Sequence, residues 1–398
     1  MTMAKLDPAS GSSAARDSGL GRRKFLGVLG GVVGGSVLMS HGAQAATHGV
    51  ATRRVFLGCY TLGAGGGKGI GLADADVQTG ALTVTSTLEG VVNPSFLTLA
   101  PNRRTVYAVN ETTDGRVSAF AVDAAGGLKA LGSQSALGAD PCHLAVHPSG
   151  RFLLTANYSS GSVAVHPIRE GGALGAATDL VQHTGSGPDP DRQKGPHAHQ
   201  VLTDPSGRWV HAVDLGTDSV YVYRLDLGTG KLSRHSQAKL KPGAGPRHIA
   251  FHPGGRAAYV ANELDSTITV CEWDSATGTL KPGPSLPTAP AGGVTRNYPA
   301  EVTVSPDGRF VYLSNRGHDS IAIFAVADGG RGLTPAGTPS CGGAWPRHIV
   351  LSCDGRFLYS ANERSPGVAV FRVDRSTGGL AQVGQQLSTP RPVCVLPA

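Results

Sequence analysis

From residue 53 onward the apolar positions come in short runs, with β-branched or aromatic residues alternating against small or polar ones, and no long stretch carries the 3.6-residue period of an amphipathic helix. One unit shows the pattern. His248-Ile-Ala-Phe-His252 is an apolar strand, a Pro-Gly-Gly turn follows, Ala257-Ala-Tyr-Val-Ala-Asn262 returns, and Ser266-Thr-Ile-Thr-Val-Cys271 supplies a third strand before a Thr-Gly turn leads to a fourth. Two strands joined by so short a turn form an antiparallel hairpin. The spacing therefore predicts four-stranded antiparallel units in an all-β chain.

The unit repeats. Its hairpin turn recurs as Ala100-Pro-Asn-Arg-Arg104, His147-Pro-Ser-Gly-Arg151, Asp204-Pro-Ser-Gly-Arg208, His252-Pro-Gly-Gly-Arg256, Ser305-Pro-Asp-Gly-Arg309 and Ser352-Cys-Asp-Gly-Arg356. The second positions of these blocks are 47, 57, 48, 53 and 47 residues apart, the length of a four-stranded propeller blade. The strands between Arg54 and Leu88 have no such block and supply most of one further blade, whose missing strand is Arg391–Leu396 at the far end of the chain. Pairing the two ends closes the ring and removes its free edges, so a seven-bladed β-propeller over 53–398 is expected as a single domain.

Residues 1–45 read as a targeting segment and are set apart from the fold. A polar stretch ends in Arg22-Arg23-Lys24, a glycine-interrupted apolar run follows from Phe25 to Met39, and Ala43-Gln44-Ala45 is a small-residue cleavage pattern. Twin-arginine export with cleavage after Ala45 is expected, although Gly21 stands where Ser or Thr is usual, and 46–52 would be a short linker. Without this segment the formal charge falls from +7 to +4, because five basic residues (Lys5, Arg16, Arg22, Arg23, Lys24) leave with two acidic ones (Asp7, Asp17). The rest is scattered, which argues against nucleic acid or a membrane surface as partner; a periplasmic or secreted monomer is expected. The six cysteines are too few and too irregular for a disulfide scaffold, and only Cys59 and Cys394 stand as a candidate bridge if the termini share a blade.

In an antiparallel hairpin the residues entering the first strand and leaving the second lie at one end, here the channel mouth. The entering segments read Asn93-Pro-Ser95, Pro141-Cys-His143, Pro196-His-Ala-His199, Pro246-Arg-His248, Pro299-Ala-Glu301 and Pro346-Arg-His348. The leaving segments read Asn110-Glu111, Asn157-Tyr158, Asp214-Leu215, Asn262-Glu263, Asn315-Arg316 and Asn362-Glu363. Residues repeated in most blades serve the architecture, since the Asn bonds turn backbone and His143, His248 and His348 pack between blades. What breaks the repeat marks the chemistry, namely His197, His199, Arg247, Glu263 and Arg316.

These motifs resemble the lactonase propeller family that includes bacterial 6-phosphogluconolactonase and fungal carboxymuconate-cyclising enzymes, and the likeness extends to the opening Val55-Phe-Leu-Gly-Cys-Tyr-Thr61 and the closing Pro390-Arg-Pro-Val-Cys-Val395. The resemblance implies His199, Arg247, Glu263 and Arg316 as active-site groups. His197, His143, His248, Arg347, His348 and Glu301 would line the substrate site around them.

Lactone hydrolysis needs an activated water and a cation or donor for the oxyanion. His199 or Glu263 could be the base, the latter only with a raised pKa, and the two arginines suit an acidic sugar lactone. No metal-ligand motif occurs and no cofactor is expected. A non-catalytic surface or binding propeller is the main rival and a muconate-type lactonising enzyme a lesser one; a scaffold has no need of Arg247, Glu263 and Arg316 in successive blades.

Overall fold

A computed structural model describes residues 51–292 and 296–398. The expected export segment lies outside the described residues, among which no helix is long and apolar enough to cross a membrane.

Seven antiparallel sheets follow one another along the chain. The first blade is Thr52–Cys59, Gly69–Asp76 and Leu82–Glu89, completed by the last strand, Pro392–Pro397, paired to Thr52–Cys59. Blades 2 to 7 begin at Leu97–Leu99, Pro141–Val146, Ala198–Thr203, Pro246–Phe251, Tyr298–Val304 and Pro346–Leu351. These leading strands touch one another in turn, and Pro392–Pro397 joins the seventh blade to the second, so they form the inner wall of a closed ring. The closure expected from Arg391–Leu396 is therefore present. Blade 7 carries one strand that the repeat does not foretell, Leu387–Ser388, paired outside Gly367–Val373.

Each blade buries its faces only against its neighbours. Among the described residues seven apolar clusters form and each joins two adjacent blades: Trp209, Val220 and Val222 of blade 4 meet Ile249, Val260 and Trp273 of blade 5, and Val55 and Leu57 of blade 1 meet Phe357, Tyr359 and Val368 of blade 7. Burying one such side chain contributes about 1.5–3 kcal/mol. The hairpin blocks place glycine where the chain must turn left-handed: Gly150, Gly207, Gly255, Gly308 and Gly355 have φ of 68–74°. In the block that lacks glycine, Arg103 takes φ 60° instead, a conformation that costs a side-chain-bearing residue about 1–2 kcal/mol.

Cys59 and Cys394 do share a sheet but do not bond. Gly58 lies opposite Cys394 and Cys59 opposite Pro392, with a bulge between the two pairs, so the cysteines do not face each other across the strands. All six cysteines are free, and the Cys59 thiol donates to the Gly69 carbonyl instead.

Candidate active site

One irregularity recurs where the inner strands begin. Pairing slips between Pro141 and His143, Ala198 and Gln200, Pro246 and His248, Pro299 and Val302, and Pro346 and His348. A bulge leaves one residue out of the ladder and re-aims its side chain. The bulged residues are Cys142, His199, Arg247, the pair Ala300-Glu301, and Arg347, so in blades 3 to 7 the same defect re-aims a different group. The leaving segments add Glu263 and Arg316, while the repeated Asn side chains bond carbonyls that close the turns, as Asn157 does to Ala136 and Asn362 to Cys341.

Glu263 is the centre of one corner. Its side chain is 5% exposed and three guanidiniums converge on it: Arg192 Nη2 at 2.7 Å from Oε1, Arg316 Nη2 at 2.6 Å from Oε2, and Arg247 Nε at 3.2 Å from Oε2, the last off the line of a hydrogen bond. Arg247 donates through Nη1 to the Ala300 carbonyl, and Arg316 through Nε to the Tyr298 carbonyl. Burial alone would raise the Glu263 pKa, but Arg316, Arg247 and Arg192 together outweigh it and hold the carboxyl at about 2. The raised pKa that a Glu263 base requires is thus absent, because three cations face one anion. Burial, then Arg316 and Arg347, pulls Arg247 down to about 9, still protonated at neutral pH.

His199 lies beside this corner, its ring 5.1 Å from that of His248 and 5.5 Å from that of Tyr158. The Cys142 thiol donates to its carbonyl at 3.3 Å and sits 3.7 Å from Nδ1. Nε2 has no hydrogen-bond partner among the described residues, and the residue as a whole is 5% exposed. Burial, then the charges of Arg247, His248, Arg347 and Arg316, holds this imidazole well below the usual histidine range, so it is neutral at working pH. Burial pushes the Cys142 thiol far up, which removes it as a nucleophile.

The other expected residues divide. His143 packs on Phe96 with ring centres 4.1 Å apart, and Glu301 accepts from His248 Nδ1 at 3.0 Å and lies 3.5 Å from His348 Nε2. These four line the inner wall behind His199 and tie blades 3, 5, 6 and 7 together. His197 stacks on Tyr158 at 4.6 Å and supports it from outside. Arg347 is not in the Glu263 corner: it lies over the Tyr60 ring and 3.7 Å from Glu111, on the opposite side of the mouth.

Sequence reasoning missed Arg192 and Tyr158, whose hydroxyl accepts from Arg192 Nη2 at 3.0 Å. A signal was present: the longest repeat step, 57 residues, falls between blades 3 and 4, and its surplus is the loop 183–197 that carries Arg192 inward.

A closed ring of seven four-stranded antiparallel blades defines a seven-bladed β-propeller, with a buried carboxylate–arginine cluster and a buried imidazole at one mouth. The chain belongs to the family described as "Lactonase, 7-bladed beta-propeller", whose model matches residues 54–397. It is 36% identical over 343 residues to the 6-phosphogluconolactonase of Bacillus subtilis, covering 85% of this chain and 97% of that one. It is 39% identical over 263 residues to the 6-phosphogluconolactonase of Pectobacterium carotovorum, covering 65% of this chain and 74% of the relative. The structure of the Pseudomonas aeruginosa periplasmic gluconolactonase superposes with a TM-score of 0.80 at 30% identity, over 87% of this chain and 99% of that one.

Proposed function

We propose that the protein is a lactonase that hydrolyses the ring ester of an acidic sugar lactone outside the cytoplasm, at the Glu263 corner of the channel mouth. The observation that carries this reading is a neutral imidazole with an unpartnered Nε2 that lies within the charge influence of two arginines already oriented by an ionised carboxylate. The names of the similar proteins point to the same chemistry. Export is supported by the Arg22-Arg23 leader and by the likeness to a periplasmic gluconolactonase.

His199 is the base in this reading, since both Glu263 oxygens are occupied by arginines and Nε2 has no partner among the described residues. Nε2 takes a proton from water as the water oxygen attacks the lactone carbonyl, and Arg247 and Arg316 stabilise the oxyanion. The tetrahedral intermediate then collapses, the ring C–O bond breaks, and the departing alkoxide recovers the proton from His199. The product is the open-chain hydroxy acid. A free His199 is a weak base because it is buried and, beyond that, because positive charge surrounds it. An anionic substrate neutralises part of that charge and raises its pKa, so binding and activation are linked.

The experiment is acid release by purified mature protein on a panel of neutral, carboxylated and phosphorylated lactones, beside a His199→Ala variant with intact circular dichroism. Turnover by the wild type that falls ~10²–10⁴-fold in the variant is expected. No turnover of any lactone, or an unaffected variant, overturns the proposal.

A further inference from the structure

The three guanidiniums on Glu263 are not equivalent. The Arg247 and Arg316 side chains are 3% and 7% exposed and also bond to backbone carbonyls, whereas Arg192 is 31% exposed. Among the described residues Arg192 contacts Tyr158 and Glu263 through Nη2 alone, and Nε and Nη1 have no partner there. A guanidinium held by one corner presents its remaining edge as a fork that fits two oxygens of a carboxylate or phosphate.

The loop that delivers this side chain is fastened throughout. His183 Nδ1 meets buried Asp214 at 2.6 Å where most blades have Asn, and Asp214 also accepts from the His197 and Thr217 backbone N–H groups. Gln193, next to Arg192, is fully buried and donates to the Leu215 carbonyl and to Asp218, while Asp189 accepts from the backbone N–H groups of Asp191 and Arg192. An insertion tied down this firmly holds the base of a long side chain still while leaving its tip at the opening. Charge agrees: three arginines against one carboxylate leave the corner two positive charges in excess.

We infer that Arg192 is the residue that selects acidic over neutral lactones, its Nε and Nη1 binding an anionic substituent remote from the lactone ring while Glu263 and Tyr158 steady its other edge. The inference rests on the lactonase reading for its substrate class, but not for the anion site itself.

Arg192→Gln and Arg192→Lys, checked for unchanged thermal unfolding, are compared with wild type on glucono-δ-lactone (neutral), a glucaric acid lactone (carboxylate) and 6-phosphoglucono-δ-lactone (phosphate), and by calorimetric titration with the ring-opened acids. A charged hydrogen-bonded pair supports roughly a 10- to 100-fold preference. In Arg192→Gln the ratio of kcat/KM for the acidic lactones to that for the neutral one falls at least tenfold, chiefly through KM, and Arg192→Lys lies between. The arm that loses more tells carboxylate from phosphate. An equal loss on all three lactones, or none, overturns the inference. Should no lactone be turned over even by wild type, the titration decides: binding of gluconic acid 6-phosphate or glucaric acid that weakens tenfold in Arg192→Gln keeps the anion site and discards hydrolysis, whereas equal binding discards the anion site.

Discussion

The mouth of the channel carries two arginine–carboxylate clusters, one on each side, and part of each comes from the same repeat positions. Glu263 corresponds to Glu111 and Glu363, each following the Asn that ends a second strand, and Arg247 corresponds to Arg347 in the Pro-Arg-His segments. On the far side, Arg391 meets Glu363 at 3.2 Å, Arg347 lies 3.7 Å from Glu111, and both guanidiniums cover the ring of Tyr60, whose hydroxyl donates to Glu111. Two cations face two anions there, spanning blades 7, 1 and 2 where the chain ends meet. On the near side three cations face one anion. The balanced cluster clasps the ring shut; the unbalanced one has charge left over for a ligand. Under the proposed function, identical residue types thus serve structure or chemistry according to the local count of charges.

The comparison breaks most severely at Glu263. Replacing it by Ala leaves three guanidiniums without their anion in a buried corner, an imbalance worth about 3–5 kcal/mol, so unfolding in denaturant should shift by that order and lactone turnover should vanish. A stable, active variant would show that the arginines do not depend on it. At His199, Ala should leave unfolding nearly unchanged while kcat falls by an amount equivalent to about 3–5 kcal/mol in the barrier; loss of fold with it would make this histidine structural like His143.

Acid should act on the near side more than on the clasp. His143, His199 and His248 are held neutral mainly by burial and His348 is lowered to about 4, so each takes a proton in the unfolded chain, below about pH 6.5, before it does so in the folded one. Stability should be flat above about pH 7 and fall below 6.5 by about 1.4 kcal/mol per pH unit for each such histidine, His348 ceasing to contribute near 4. The depressed carboxyl of Glu263 works in the same direction, its contribution present above the ordinary carboxylate pKa and lost as pH drops toward 2. Denaturant titrations from pH 8 to 4 check this, and a stability independent of pH would contradict the burial of neutral imidazoles. The smallest effect is expected at the clasp: Glu363→Gln should cost about 1 kcal/mol of stability and leave lactone turnover unchanged. A tenfold loss of turnover there would erase the distinction between the two sides.

The seven-fold repeat, its hairpins and its closure by the last strand were all legible, because alternation and turn residues act locally and recur six times. His199, Arg247, Glu263 and Arg316 were legible as departures from the repeat, and the structure brings them together. The charge count was not, since it depends on Arg192, which lies in a loop outside every repeated block and reaches Glu263 across 71 residues of sequence. For the same reason a Glu263 base with a raised pKa looked feasible: burial could be anticipated, but not three cations. Arg347 could not be told from Arg247, because both stand in identical Pro-Arg-His segments and only the partner across the mouth differs.

The most direct test is a structure of the protein with the ring-opened acid of a turned-over lactone. The account predicts that the acid sits against Arg247 and Arg316, with a carboxylate oxygen within hydrogen-bond distance of His199 Nε2. Binding beside the Tyr60–Glu111 clasp instead, or on the outer face of the blades with the Glu263 corner empty at saturation, would contradict it.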